Sequence, residues 1–241
     1  MTLQRAPTRV LTFYRSGPMP CPYLPGRMEQ QIFTELSGVQ SQDVFDQLST
    51  GGFRRSHHIA YRPACRGCAA CVPVRVAARR FNMTQSWRRI LRANSDLTAR
   101  WAGKRITDEQ FKLFRRYVGA RHSDGDMARM NRRDYAAMVV SSPVETDLVE
   151  FRTDDGTLIA AVLLDRLGDG LSAVYSFFDP DAPRRSLGSY MVLWLIEQAC
   201  ALGLDYVYLG FWIEDSPKMA YKGRFRPLEG FGPQGWQPIE D

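Results

Sequence analysis

The sequence predicts an α+β fold: a mixed, mostly antiparallel sheet flanked by helices, preceded by a cysteine-containing region. Three observations predict it. Residues 147–153, 157–167 and 171–178 are β-type runs joined by Asp154-Asp155-Gly156 and Gly168-Asp169-Gly170, both short-range hairpin signals. A long apolar helix over residues 186–202 follows, with Gly203 as its stop, and an aromatic-rich strand over 205–213 comes next. Ahead of the hairpins lie two helical stretches, and a strand over 97–101 precedes them.

The elements are justified in chain order. Turn-formers crowd the first third: Gly17-Pro18, Pro20, Pro22, Pro25-Gly26 and Gly51-Gly52. Between them, residues 41–48 form a short helix that starts at a Ser and stops at the Gly pair. Residues 72–77 alternate as a strand, and 84–93 are a basic loop or helix around Trp87. Thr107 and Gln110 make a capping box, after which Phe111, Phe114 and Val118 share one helical face. A second helix spans 131–140 and ends near Pro143. The expected division is a basic N-terminal region, 1–95, and a C-terminal α+β domain, 96–241.

Composition sets limits. The chain has 241 residues, of which 44% are hydrophobic and 24% charged, ordinary for a globular protein. Residues 1–16 have no apolar run of signal-peptide length, since Arg5, Arg9 and Arg15 interrupt them. The longest uncharged apolar stretch, 158–164, is far short of the roughly 20 residues a membrane helix requires. Five cysteines, three of them packed together, do not suit a secreted disulfide framework. A cytoplasmic, soluble protein with no membrane partner is expected.

The net charge of +6 is unevenly placed. Residues 1–105 carry 17 Lys+Arg and 5 Asp+Glu, so the basic half invites a polyanion. Arg88, Arg89 and Arg92 flank Trp87 and Ile90, a basic stripe with an aromatic that either stacks an unpaired base or belongs to the core. Arg184, Arg185 and Gly188 lie around the start of the long helix, where backbone N–H groups and the helix dipole favour a phosphate. Lys218 and Lys222, four apart, add phosphate contacts if their segment is helical. Cys65, Cys68 and Cys71 have two-residue spacings suited to thiolate ligands, and Cys21 can supply a fourth; packing as small apolar residues is the alternative. Cys200 belongs to the core of the long helix.

Two resemblances narrow the function. The order β, two helices, three-stranded meander, long helix, strand resembles the GNAT acyltransferase fold. That resemblance implies that the meander's last strand and the strand after the long helix splay apart to hold the acyl donor. The family's usual phosphate loop is matched by Arg185 and Gly188, without the extra glycines of its coenzyme A-binding version. The second resemblance rests on motifs. Cys21-Pro22-Tyr23-Leu24-Pro25-Gly26-Arg27, Gly52-Phe53-Arg54-Arg55-Ser56, Tyr61-Arg62-Pro63 and Val72-Pro73-Val74-Arg75 are similar to blocks of the bacterial aminoacyl-tRNA–protein transferases. So are Tyr208-Leu209-Gly210-Phe211-Trp212-Ile213 and Pro217-Lys218-Met219-Ala220-Tyr221-Lys222, and the likeness runs over residues 21–230. Leu24 stands where the eukaryotic arginyl branch has a second cysteine, so the resemblance is to the bacterial leucyl branch.

The resemblance implies Leu-tRNA as donor and proteins with N-terminal Asp or Glu as acceptors, which the product marks for degradation. It implies no required cofactor; a metal on Cys21, Cys65, Cys68 and Cys71 is the alternative. An aminoacyl ester is already activated, and an α-amine with a pKa of about 7.7–8.0 is partly neutral at physiological pH. Orientation then supplies much of the rate without a nucleophilic side chain. No Ser-His-Asp or Cys-His spacing stands out, and His57, His58 and His122 suit surface or packing roles as well as proton transfer. An acidic N-terminal residue calls for a guanidinium, for which Arg54, Arg55 and Arg62 are the candidates. The leucyl pocket is expected among Phe177, Phe178, Tyr208 and Phe211. The rival functions are an arginyltransferase, a coenzyme A-dependent acetyltransferase and a metal-dependent nucleic-acid-binding module without catalysis.

Overall fold

The computed structural model describes residues 10–121 and 125–240, so Arg5, Arg9 and His122 lie outside the described residues. Its first strands are β1 (Tyr14–Arg15), β2 (Met19–Pro20), β3 (Met28–Glu29) and β4 (Gln31–Glu35). Helix α1 (Ser41–Thr50), β5 (Arg54–Ser56) and β6 (Ile59–Pro63) follow. They build a four-stranded antiparallel sheet in the order β1-β4-β6-β5, while β2 and β3 pair as a separate ribbon.

The remaining elements are β7 (Val72–Ala77), α2 (Gln85–Arg92), β8 (Thr98–Gly103), α3 (Asp108–Arg121), α4 (Arg132–Val140) and β9 (Thr146–Arg152). After them come β10 (Leu158–Arg166), β11 (Gly170–Phe178), α5 (Leu187–Ala201), β12 (Tyr206–Trp212), β13 (Leu228–Gly232) and β14 (Gly235–Pro238). An eight-stranded sheet runs β14-β13-β7-β12-β11-β10-β9-β8, antiparallel except where β11 meets β12. The expected order of elements is present.

Strand β10, inside the larger sheet, is buried on both faces because helices cover both. Its Ala161 and Leu163 join Leu113, Phe114 and Tyr135 of α3 and α4. Ala160, Val162 and Leu164 face Leu193, Leu195 and Ile196 of α5. Helix α5 is apolar all round because α2 packs on its far side. It ends at Gly203, whose φ of +76° is the left-handed turn that closes a helix at low cost for glycine alone. The capping box of α3 forms as expected, with Thr107 N donating to Gln110 Oε1 and Gln110 N donating to Thr107 Oγ1.

The chain passes from the smaller sheet to the larger between residues 63 and 72, where β7 enters the larger sheet between β12 and β13. Trp87 is a core residue at 3% exposure, stacked on Phe225 at 4.7 Å with Arg224 against its ring, and so has no face left for a base.

Candidate active site

β11 and β12 pair only over Gly170–Ser172 and Tyr206–Tyr208, then diverge. Divergence leaves β11 carbonyls without a strand partner, and buried carbonyls demand one. Arg54 of β5 supplies it: its Nη2 donates to the carbonyls of Ala173 at 3.0 Å and Val174 at 3.2 Å. Across the gap, Gly210 of β12 has a φ of +75°, and a Cβ there would collide with the Arg54 guanidinium. Glycine thus serves both the bend of β12 and the seat of the arginine. The Nε and Nη1 of Arg54 make no hydrogen bond among the described residues.

On the other strand, the carbonyl of Phe211 accepts a 2.6 Å hydrogen bond from Nζ of Lys222, which is only 6% exposed. Lys222 sits in a short 3₁₀ turn, Ala220–Arg224, that follows β12. Burial first and the neighbouring Arg54 second lower its pKa to about 7. Two basic side chains, Arg54 on β11 and Lys222 on β12, therefore hold the parting strands.

A pocket of about 710 Å³, counting its open mouth, adjoins this point. It is lined by Arg54, Phe211 and Tyr61, which touch one another, together with Tyr23, Arg27, Glu29 and the four N-terminal cysteines. Tyr61 meets Phe211 edge-on at 5.9 Å. Burial pushes the Cys71 thiol up to about 12, with Cys65, Cys21 and Cys68 adding to it. A backbone N–H of Ala70, and then Arg27, hold Cys68 below its ordinary value. Cys65 Sγ instead bonds the backbone of Gln30. All four cysteines line this pocket, and among the described residues no three Cys, His, Asp or Glu side chains are grouped to share one ion.

The other expected site residues scatter. Arg55 cannot read an acceptor: it pairs with Asp165 through two 2.7 Å contacts, both side chains fully buried, and also donates to Thr146 and the His57 carbonyl. Arg62 donates to the Gly51 carbonyl and lies on the Phe53 ring, away from the pocket. Lys222, expected to contact phosphate, is buried and bonded to the β12 backbone, and its short 3₁₀ segment does not place Lys218 with it on one α-helical face. Tyr208 is bonded to Asp169 and Arg75 beside Trp236, in a different apolar cluster from Phe178. Phe177 is buried in the α3–α4 core, whereas Phe178 lies by Gly188 and 4.8 Å from the Tyr117 ring. Arg88, Arg89, Arg92 and Arg184 are exposed. Arg185 is tied bidentately to Asp96 at 2.8 Å, so its charge is already met beside the start of α5. Cys200 is exposed, against its expected core position. His57 is half-buried with φ +52° and its imidazole pKa lowered by burial; His58 is exposed.

Tyr23, Arg27, Glu29 and Tyr61 are pocket residues that sequence reasoning did not single out. Tyr23, Arg27 and Tyr61 stand inside quoted motifs, which was their signal; Glu29 carried none.

A mixed sheet with two parallel strands parting over an arginine, and a helix starting at the end of the first, defines a GNAT-like acyltransferase architecture. The sequence matches the model of the arginine-tRNA-protein transferase N terminus over residues 19–89 and that of its C terminus over 109–232. The chain belongs to the arginine-tRNA–protein transferase family. It is 56% identical to an aspartate/glutamate leucyltransferase of Paramagnetospirillum magneticum over 93% of this chain and 92% of that one. It is 52% identical to the aspartate/glutamate leucyltransferase of Rhodospirillum rubrum, over 95% and 94% of the two chains. The solved structure of FemX aligns over 78% of this chain and 64% of its own, with TM-score 0.47 and 9% identity.

Proposed function

We propose that this chain is an aspartate/glutamate leucyltransferase, moving leucine from Leu-tRNA to the α-amine of proteins that begin with Asp or Glu. The high identity to leucyltransferases over nearly the whole chain supports the donor and acceptors. The observation that carries the chemical reading is Arg54, anchored to β11 through Nη2 with its remaining N–H groups unbonded at a pocket beside the parted strands. An arginine fixed on one side and open on the other suits a carboxylate.

In the transfer, the α-amine gives one proton to solvent, attacks the ester carbonyl carbon as the neutral form, and a C–N bond forms. The ester C–O bond then breaks, and the ribose oxygen leaves with a proton from the amine. Because the ester is activated, positioning does most of the work. Phe178 and Phe211 are proposed to contact the leucyl side chain. Exposed Arg88, Arg89, Arg92, Arg184 and Lys218 follow the phosphates of the tRNA, whose charging also points to the cytoplasm. Among the described residues, no helix is long and apolar enough to cross a membrane. The test is transfer of radiolabelled leucine and, separately, arginine from charged tRNA to peptides starting with Asp, Glu, Lys or Ala. Leucine on Asp and Glu peptides alone is expected; arginine transfer would change the donor, and no transfer would remove the proposal.

A further inference from the structure

Resting on that reading of the reaction, we propose that Glu29 holds the α-ammonium of the acceptor in the pocket that Arg54 also lines, so that the pocket reads a free acidic N-terminus and not an acidic side chain alone. Glu29 lines the pocket half-buried on β3 and makes no hydrogen bond or ion pair among the described residues. Other carboxylates that are equally or more buried are met differently. Asp165 has Arg55, Glu229 has Arg75 and Arg80, and Glu150 has Arg152 and Gln110.

Burial raises the Glu29 pKa from its ordinary value, as desolvation of a carboxylate does. Arg54, its Nε and Nη1 unbonded, lines the same pocket, and the Tyr23 hydroxyl feels both groups. An N-terminal Asp or Glu is a short zwitterion, an ammonium and a carboxylate a few bonds apart. One unpaired anion and one half-paired cation in a single pocket match it. Tyr61 and Phe211, edge-to-face on the Arg54 side, form an apolar wall that strengthens both charge pairs by limiting water. Arg27, at the exposed rim, adds positive potential for the approach of an acidic chain end.

The full-length protein is titrated, without tRNA, with an Asp-starting peptide and with the same peptide N-acetylated. Wild type should bind the free-amine form about tenfold more tightly, as expected for one charge-assisted contact. Glu29→Gln should bind the two forms equally, and Glu29→Asp should keep part of the preference. Equal binding by wild type, or an undiminished preference in Glu29→Gln, would overturn the assignment. Leucyl transfer by wild type is measured alongside. If it is absent while the amine preference is present, the functional reading fails and the role of Glu29 stands.

Discussion

Three arginines lie within nine residues of one another, and only their surroundings separate their roles. Arg54 has bonding capacity left and Arg55 has none. Arg54→Ala should lower leucyl transfer to an Asp peptide about a hundredfold in kcat/KM, the scale of a lost charge-assisted contact to a carboxylate. Arg55→Ala should instead show in urea denaturation, because an unpaired Asp165 left in the core costs about 3–5 kcal/mol. Normal stability with lost acceptor selectivity in Arg55→Ala would reverse these roles. Lys222 offers a test by pH. Its folded pKa is near 7 and its ordinary value 10.5, so between these pH values the unfolded chain binds a proton that the folded chain lacks. Stability should therefore rise with pH across that window, by up to about 1.4 kcal/mol per unit from this residue, and the gain should be lost as pH falls to 7. Lys222→Met should flatten that slope in denaturation curves taken from pH 7 to 10.

At the scale of elements, the parting of β11 and β12 depends on a bend at Gly210 as much as on Arg54. Gly210→Ala puts a methyl group where the guanidinium lies and strains a φ of +75°. It should reduce transfer nearly as far as Arg54→Ala while circular dichroism shows an unchanged fold; wild-type activity would mean the arginine's seat is immaterial. The elements around this gap were legible in the sequence because their signals are local: Gly-centred hairpins, the Thr107–Gln110 box, the Gly203 stop. β4, β5 and β6 were not, since Gln31–Glu35, Arg54–Ser56 and Ile59–Pro63 carry polar or turn-forming residues and become strands only by pairing with one another. The glycines of β13 hid it in the same way, and it forms against β7, some 150 residues earlier. The site was legible in part. Arg54 and Phe211 stood in motif blocks, but nothing local distinguishes Arg54 from Arg55, or tells that Lys222 is buried. Those facts are set by partners at Asp165, Ala173 and Phe211.

For the whole molecule, the basic balance of the first 105 residues translates into exposed arginines on α2, at positions 88, 89 and 92. If they track phosphate, tRNA affinity should fall steeply with salt, and Arg88→Ala with Arg89→Ala should reduce the log–log slope by roughly 1.4–1.8. A slope identical to wild type across a series of salt concentrations would take α2 out of the tRNA surface. The same variant should leave the acceptor peptide's KM unchanged, since neither residue lines the pocket.

The insertion of β7 between β12 and β13 bears on how the protein is made. Both neighbours of this strand are encoded about 130 or more residues downstream. At the usual pace of translation, roughly 5–20 residues per second, Val72–Ala77 leaves the ribosome on the order of ten seconds before either neighbour exists. Throughout that interval Val74 and Val76, destined for the innermost core, have no native surface to cover them. The nascent chain is thus a natural client for holding chaperones, and yield in cells should respond to their supply more than the stability of the finished enzyme would suggest.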